Sequence, residues 1–175
     1  MRAFIRSPKA RAFWPLLAVL VLADCGTKRL AVERLSPPHN PHLIIGDLVR
    51  FTLAYNPGAA FSMSLGPYSR WGFTILAMIV LYVLFGLYRQ TESRDRWQAA
   101  ALALVAGGAI GNLLDRLRSP RGVVDFIDLG VGTTRFWTFN LADVGVTFGA
   151  VLLAFILWRR DSQSARAGEP DERGA

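Results

Sequence analysis

Two long uncharged runs constrain the fold of this chain more than any other feature. Each contains eighteen residues without a formal charge, one over Trp71–Tyr88 and the other over Trp97–Leu114. A helix needs roughly 20 mostly apolar residues to cross the hydrocarbon core of a bilayer. We therefore predict transmembrane helices over 71–88 and 97–114.

A third uncharged run, Val144–Trp158, is shorter, with fifteen residues. It reaches spanning length only if the helix begins near Phe139, so the predicted helix covers 139–158. Asp143 then lies in the first turns of this helix. The sequence thus places a carboxylate at the membrane boundary.

The N-terminal run, Ala12–Ala23, has twelve uncharged residues and permits two interpretations. It is either the core of a signal peptide that is later removed, or part of a helix that continues past Cys25. A cleavage site requires a small residue just before the cut, and here Asp24 precedes the cysteine. We favour a retained helix over 12–30, which gives four transmembrane helices.

The tryptophans support this count, because all five lie at or beside the ends of predicted spans: Trp14, Trp71, Trp97, Trp137 and Trp158. Indole rings prefer the membrane interface, whereas core tryptophans of a soluble bundle would have no reason to mark segment ends. With 52% hydrophobic and 19% charged residues, we predict an all-α polytopic membrane protein. One domain covers 1–160, and the polar tail 161–175 is expected to be disordered.

Two extramembrane segments connect these helices. In the first, Phe51, Leu53 and Tyr55 alternate with other residues in the period of a strand, and an Asn-Pro-Gly turn follows. A small sheet on the bilayer surface is therefore predicted. The second segment, 115–140, is rich in Asp, Arg and Gly and is expected to form a surface loop.

Charge and cysteine content narrow the function. Eleven Lys and Arg fall on the side that holds both termini and nine on the other, which favours cytoplasmic termini and periplasmic connections. The net charge of +7 fits a membrane surface, and no basic stripe interleaved with aromatics suggests nucleic acid. With one cysteine and no Cys/His cluster at zinc spacing, we expect neither a metal nor a cofactor.

The aspartates are the candidate chemical groups. Five lie at or near predicted helix ends on one face: Asp24, Asp115, Asp125, Asp128 and Asp143. Carboxylates at membrane depth are costly and often functional. For Asp128 we favour a structural role as a helix cap or arginine partner, and for Asp115 the structural and functional roles are equally supported.

Asp125 and Asp143 differ from the others, because both lie in apolar sequence without an obvious cationic neighbour. If they face each other, repulsion and desolvation would raise the pKa of one of them. One protonated and one ionised carboxylate would then supply an acid and a base together.

Five short motifs resemble those of the lipoprotein signal peptidase family, also called signal peptidase II, and they occur in the family's order between about Trp14 and Trp158. The motifs are Asp24-x-x-Thr27-Lys28, Asn56-Pro57-Gly58-Ala59-Ala60-Phe61-Ser62, Gly107-Gly108-Ala109-Ile110-Gly111-Asn112-Leu113-Leu114-Asp115-Arg116, Val123-Val124-Asp125-Phe126 and Phe139-Asn140-Leu141-Ala142-Asp143. Five motifs in order are far more specific than any one of them.

The resemblance implies a monomeric four-helix aspartyl peptidase of the bacterial inner membrane with a periplasmic surface sheet. Such an enzyme cleaves diacylglyceryl-modified prolipoproteins just before the lipidated cysteine, beside membrane lipid. Asp125 and Asp143 match the catalytic positions. Substrate-positioning roles fall on Asn56, Asn112, Arg116 and Asn140, and supporting roles on Asp24, Lys28 and Asp115. Whether Asp115 instead of Asp125 faces Asp143 stays open.

Two rival functions remain. In a proton- or cation-coupled transporter, the aspartates would form a relay through the bundle, but a relay requires carboxylates near mid-membrane and these gather at one end. A non-enzymatic anchor protein would explain the glycine motifs and leave the two apolar-context aspartates without a purpose.

Overall fold

The computed structural model describes residues 7–58 and 66–167, which form four long helices and a four-stranded antiparallel sheet. The helices are α1 (Pro8–Arg34), α2 (Ser69–Gln90), α3 (Arg96–Arg118) and α4 (Leu141–Ala167). The strands are β1 (His42–Ile45), β2 (Val49–Asn56), β3 (Val123–Val131) and β4 (Thr134–Arg135), in that order across the sheet.

Three helices have the length and apolar character to cross a membrane: Ser69–Gln90, Arg96–Arg118 and Leu141–Gln163. The first helix is more polar, because Asp24, Lys28 and Arg29 interrupt its second half. All five tryptophans are at least 44% exposed, so the soluble bundle with buried core tryptophans is excluded. The fold is thus that of a membrane protein with three apolar helices of spanning length.

The helices extend beyond the uncharged runs that predicted them. Ser7 caps α1, accepting a hydrogen bond from Ala10 N at 3.3 Å, and a proline occupies the first helical position, where it is well tolerated. At the other end of the chain, α4 continues to Ala167. Residues 161–167 are therefore helical, contrary to the expected disorder, because no glycine or proline interrupts the chain before Gly168. Residues 168–175 lie outside the described part.

The helices alternate in direction, with α3 at the centre. At one end of the bundle, Phe13, Tyr88 and Leu102 share a buried cluster. At the other, Gly108 packs directly on the backbone of Ala142, where a methyl group would collide with its carbonyl oxygen. Small residues permit this close approach between helices.

The sheet packs on the end of α1. Ala31 and Leu35 from the helix form a buried cluster with Leu53, Val124 and Phe126 from β2 and β3. This contact brings the end of β2 and the start of β3 close to the C-terminal end of α3 and the N-terminal start of α4.

The strand predicted around residues 51–55 is confirmed as β2, but the surface loop predicted over 115–140 is wrong. That segment contains β3 and β4, and β3 pairs with β2 in a register that places Ala54 opposite Asp125. The error has a physical cause: Asp125 and Asp128 interrupt the apolar run of β3, and the strand that it pairs with, β2, lies far away in sequence.

Candidate active site

Asp143 lies in the first turn of α4, where a reciprocal pair of hydrogen bonds fixes it. Its Oδ2 accepts from Asn140 N at 3.1 Å, and Asn140 Oδ1 accepts from Asp143 N at 3.0 Å. This is the geometry of a capping box. The N-terminus of a helix also stabilises negative charge, so this position suits a carboxylate.

Asp125 reaches the same place from the sheet. Only 5% exposed on β3, it accepts a hydrogen bond from Asn140 Nδ2 at 2.6 Å and another from the side chain of Asn56. The structure therefore brings the two predicted carboxylates together around one asparagine, which is itself completely buried.

The two carboxylates have different environments. Burial, and then the nearby charge of Asp143, raise the pKa of Asp125 from 3.8 to about 7, against the opposing effect of the Asn140 hydrogen bond. Asp125 is therefore about half protonated near pH 7, whereas Asp143 accepts hydrogen bonds from a side-chain amide and a backbone N–H. This separation is the one expected of an acid and a base.

Asn112 on α3 is the second amide in this cluster. Its Nδ2 donates to Asp143 Oδ1 at 2.7 Å, and its Oδ1 accepts from Lys28 Nζ at 2.8 Å and from Asn140 Nδ2 at 3.1 Å. Both asparagines thus direct N–H groups at the carboxylates. Sequence reasoning assigned them to the substrate and missed these contacts.

Asp24 and Asp115 bind Lys28, with Nζ to Oδ2 distances of 2.8 and 3.0 Å. Asp24 also accepts from Ala142 N at 2.9 Å, and Asp115 accepts from Val124 N at 3.1 Å. Asp115 therefore ties α3 to β3 and to the lysine, and it is Asp125 that meets Asp143 through Asn140.

Asp128 forms an ion pair with Arg135, with Oδ1 2.8 Å from Nη2, and accepts from Thr52 Oγ1 at 3.1 Å. The predicted arginine partner is thus confirmed.

A cavity of about 670 Å³ opens beside the two carboxylates. Its lining includes Asp125, Asp143, Asn56 and Arg116, together with the aromatic segment 136–139 that leads into α4. Asn112 and Asn140 do not line it. The cavity offers an apolar wall facing the two carboxylates.

Arg116 extends from the last turns of α3 into this cavity. Its Nη1 donates to Asn112 O at 3.2 Å, and its buried Nε has no hydrogen-bond partner within the described part of the chain. The guanidinium therefore retains donor capacity beside the carboxylates.

Asn56 belongs to the turn after β2. Its Oδ1 accepts from Gly58 N at 3.0 Å, which leaves its amide N–H₂ for Asp125. The next four residues of that motif, 59–62, lie outside the described residues. Across residues 7–58 and 66–167, no group of three or more His, Cys, Asp or Glu is placed to hold a metal ion.

Fold and site together define a polytopic membrane protein that carries a carboxylate pair beside a cavity at one end of its bundle. A family model described as signal peptidase (SPase) II matches residues 16–159. The chain therefore belongs to the signal peptidase II family, which is a family of peptidases.

Relatives and solved structures agree with this assignment. A lipoprotein signal peptidase of Pseudomonas fluorescens is 36% identical, covering 91% of this chain and 92% of the relative. One from Mycobacterium avium (strain 104) is 44% identical, over 86% and 81%. A bacterial membrane enzyme solved by the in meso method at 2.3 Å matches with a TM-score of 0.76 and 26% identity, over 90% of this chain and 91% of that one.

Proposed function

We propose that this protein is an aspartic endopeptidase that removes the signal peptide from diacylglyceryl-modified prolipoproteins, cutting immediately before the lipidated cysteine. The family supplies the peptidase activity and the class of substrate. The observation that carries the catalytic type is the convergence of Asp125 and Asp143 on Asn140 at the cavity wall.

In the proposed reaction, Asp143 takes a proton from a water molecule as the water oxygen attacks the scissile carbonyl carbon. Protonated Asp125 donates a hydrogen bond to the developing oxyanion, and a proton passes to the amine as the C–N bond breaks. The raised pKa of Asp125 supports the acid role. The two donors at Asp143 support its role as the ionised base.

We assign the polar groups around the pair to two tasks. Asn112 and Asn140 hold the carboxylates, since both amides bond to them and neither lines the cavity. Arg116 and Asn56 line the cavity and are placed to position the peptide backbone of the substrate. Carbonyl oxygens of an extended peptide suit the unused guanidinium N–H groups.

We further propose that α1 is a fourth membrane span. Near its start, Lys9 Nζ donates to the carbonyls of Tyr88 and Thr91 at 3.1 and 2.6 Å, at the end of α2. Near its end, Ala31 packs under the sheet. The helix thus runs the full length of the bundle beside the apolar helices, and its 27 residues give a length of about 40 Å.

In this arrangement both termini are cytoplasmic and the sheet and carboxylates face the periplasm. Residues 1–160 form one domain, followed by the cytoplasmic tail 161–175, and the protein acts as a monomer beside membrane lipid. The acyl chains of the substrate partition into the bilayer and hold its cysteine at the depth of the carboxylates. Binding energy distant from the scissile bond then positions that bond.

The test is cleavage of a diacylglyceryl-modified prolipoprotein by the purified full-length protein in mixed micelles. Asp125→Asn and Asp143→Asn should each abolish turnover while the protein stays folded. Asp161→Asn is the matched control, because this aspartate is exposed on α4 outside the site, and it should cleave like the wild type. Mass spectrometry should place the cut directly before the lipidated cysteine.

Two outcomes would contradict the proposal. Normal cleavage by both site variants would remove the carboxylates from the chemistry. Failure of the folded wild type to cleave the lipidated substrate would remove the activity itself. Turnover that survives a chelator is the expected result, because the mechanism routes no step through a metal.

A further inference from the structure

We propose that Lys28 is a positioning residue that acts through Asn112 to orient the carboxylate of Asp143. This inference rests on the proposed peptidase function and adds a residue on α1 to its machinery. The contacts run in series: Lys28 Nζ lies 2.8 Å from Asn112 Oδ1, and Asn112 Nδ2 lies 2.7 Å from Asp143 Oδ1.

The side-chain amide of asparagine carries an acceptor oxygen and a donor nitrogen, and a rotation of 180° about its last bond exchanges their positions. In the observed orientation, the Asn112 oxygen receives two donors, Lys28 Nζ and Asn140 Nδ2. The opposite orientation would point N–H groups at an ammonium and an amide, and an oxygen at the Asp143 carboxylate. The lysine therefore makes one orientation strongly preferred, and that orientation aims an N–H at Asp143.

Lys28 is itself held firmly enough to serve this purpose. It is 3% exposed and lies between Asp24 and Asp115, at 2.8 and 3.0 Å. Asp24 also binds the backbone N–H of Ala142, the residue before Asp143. Two carboxylates thus surround one buried ammonium and fix its position beside Asn112 Oδ1.

The competing explanation is that Lys28 only ties α1 to α3. A structural tie would change stability and the amount of folded enzyme, but would leave kcat of the folded fraction and its pH profile unchanged. A positioning role changes both, because Asp143 would lose an N–H donor. The charged groups that interact with Asp143 are Asp125 on β3 and Arg116 on α3. Lys28 on α1 reaches Asp143 only through Asn112.

The first test is Asn112→Asp in the full-length protein. Aspartate preserves the acceptors for Lys28 and Asn140, so the fold should persist, but it replaces the N–H₂ facing Asp143 with oxygen. We expect kcat to fall at least about 10-fold, because Asp143 loses one hydrogen bond and gains a second carboxylate beside it. KM for the lipidated substrate should change little, and the pH of half-maximal kcat should shift.

The second test is the charge-matched double variant Lys28→Met with Asp24→Asn, which removes one positive and one negative charge together. We expect a lower kcat in the folded protein, while Lys28→Arg, which retains donors, should recover most of it. When Asn112→Asp is already present, the double variant should reduce kcat little further, because coupled residues are non-additive.

The proposal would be overturned if Asn112→Asp kept the wild-type kcat and pH profile. It would also be overturned if the losses in kcat from Asn112→Asp and from the double variant simply added when the two were combined. If the double variant does not fold, Lys28→Gln with Asp24→Asn takes its place, because it removes the ammonium and keeps a polar side chain in the buried site. Asp125→Asn and Asp143→Asn are measured in the same assay. If these two variants cleave normally, the proposed function has failed. If they are inactive while Asn112→Asp is fully active, only the inference about Lys28 has failed.

Discussion

Asn140 Nδ2 lies 2.6 Å from Asp125 Oδ1, joining the first residue before α4 to the third residue of β3. The backbone N–H of the same asparagine binds Asp143. One buried residue therefore holds both carboxylates, Asp125 through its side chain and Asp143 through its backbone N–H, and the carboxylate pair depends on the sheet and the helix keeping these contacts.

We expect Asn140→Ala to lose both stability and activity. It removes the donor to Asp125 and the acceptor for Asp143 N, and buried hydrogen-bonding groups left without partners cost about 1–3 kcal/mol. Thermal unfolding and kcat at a temperature where the variant is folded are the measurements. Asn40→Ala, at an exposed position, is the matched control, and equal behaviour of the two variants would contradict the role of Asn140.

The raised pKa of Asp125 predicts how stability and activity respond to pH. A carboxyl group with a folded-state pKa of about 7 and an ordinary value of 3.8 binds its proton more tightly when folded. Its contribution to stability is therefore greatest below pH 3.8 and declines as pH rises toward 7, by up to ~4 kcal/mol. If Asp125 acts as the acid, as proposed, kcat should also fall as pH rises through about 7.

Asp125→Asn tests the stability part of this prediction. The neutral amide should make the protein more resistant to thermal unfolding than the wild type at pH 8, and the difference should shrink toward pH 5. A constant difference in unfolding temperature between the two proteins over this range would show that Asp125 is not the titrating group.

Gly111 has no side chain, which leaves room for the Asp24 carboxylate that pairs with Lys28. A methyl group there would strike the Asp24 carboxylate, whereas Gly86 on α2 has nothing within 4 Å. We expect Gly111→Ala to destabilise the protein by about 1–3 kcal/mol, as overpacking does, and to lower kcat. Gly86→Ala should be neutral or stabilising, since alanine favours a helix by about 1 kcal/mol. Similar unfolding temperatures for the two variants would contradict the contact.

The apolar runs were sufficient to predict three spanning helices, because burial in lipid leaves a continuous signal along the sequence. The uncharged run in α1 was too short to predict a span by itself. Asp24 and Lys28 interrupt it, although both side chains are buried in the bundle. The ends of α1 and α4 also differed from prediction, since polar residues continue both helices.

The candidate carboxylates could be selected from the sequence because each stands in an apolar context without a local partner. Their surroundings could not be predicted. Lys28 and Asn112 are 84 residues apart and Asn112 and Asp143 are 31 apart, so only the packing of α1, α3 and α4 brings them together. Strand β3 was missed for the same reason, because it pairs with β2, which lies far away in sequence.

Arg116 provides the test of substrate positioning. Its guanidinium lines the cavity, with one N–H on Asn112 O and a buried Nε available. Arg116→Lys preserves the charge but loses the planar set of donors that a peptide backbone can bind. If Arg116 holds the substrate equally in the ground and transition states, KM should rise roughly tenfold with kcat nearly unchanged.

The matched control is Arg29→Lys, at an exposed arginine on α1 that pairs with Glu33 at 2.9 Å, and its kinetics should equal those of the wild type. A fall in kcat at constant KM in Arg116→Lys would instead mean that the guanidinium acts on the carboxylates. It would then belong with Asn112 and Asn140, and the peptide would have to be positioned by other groups of the cavity.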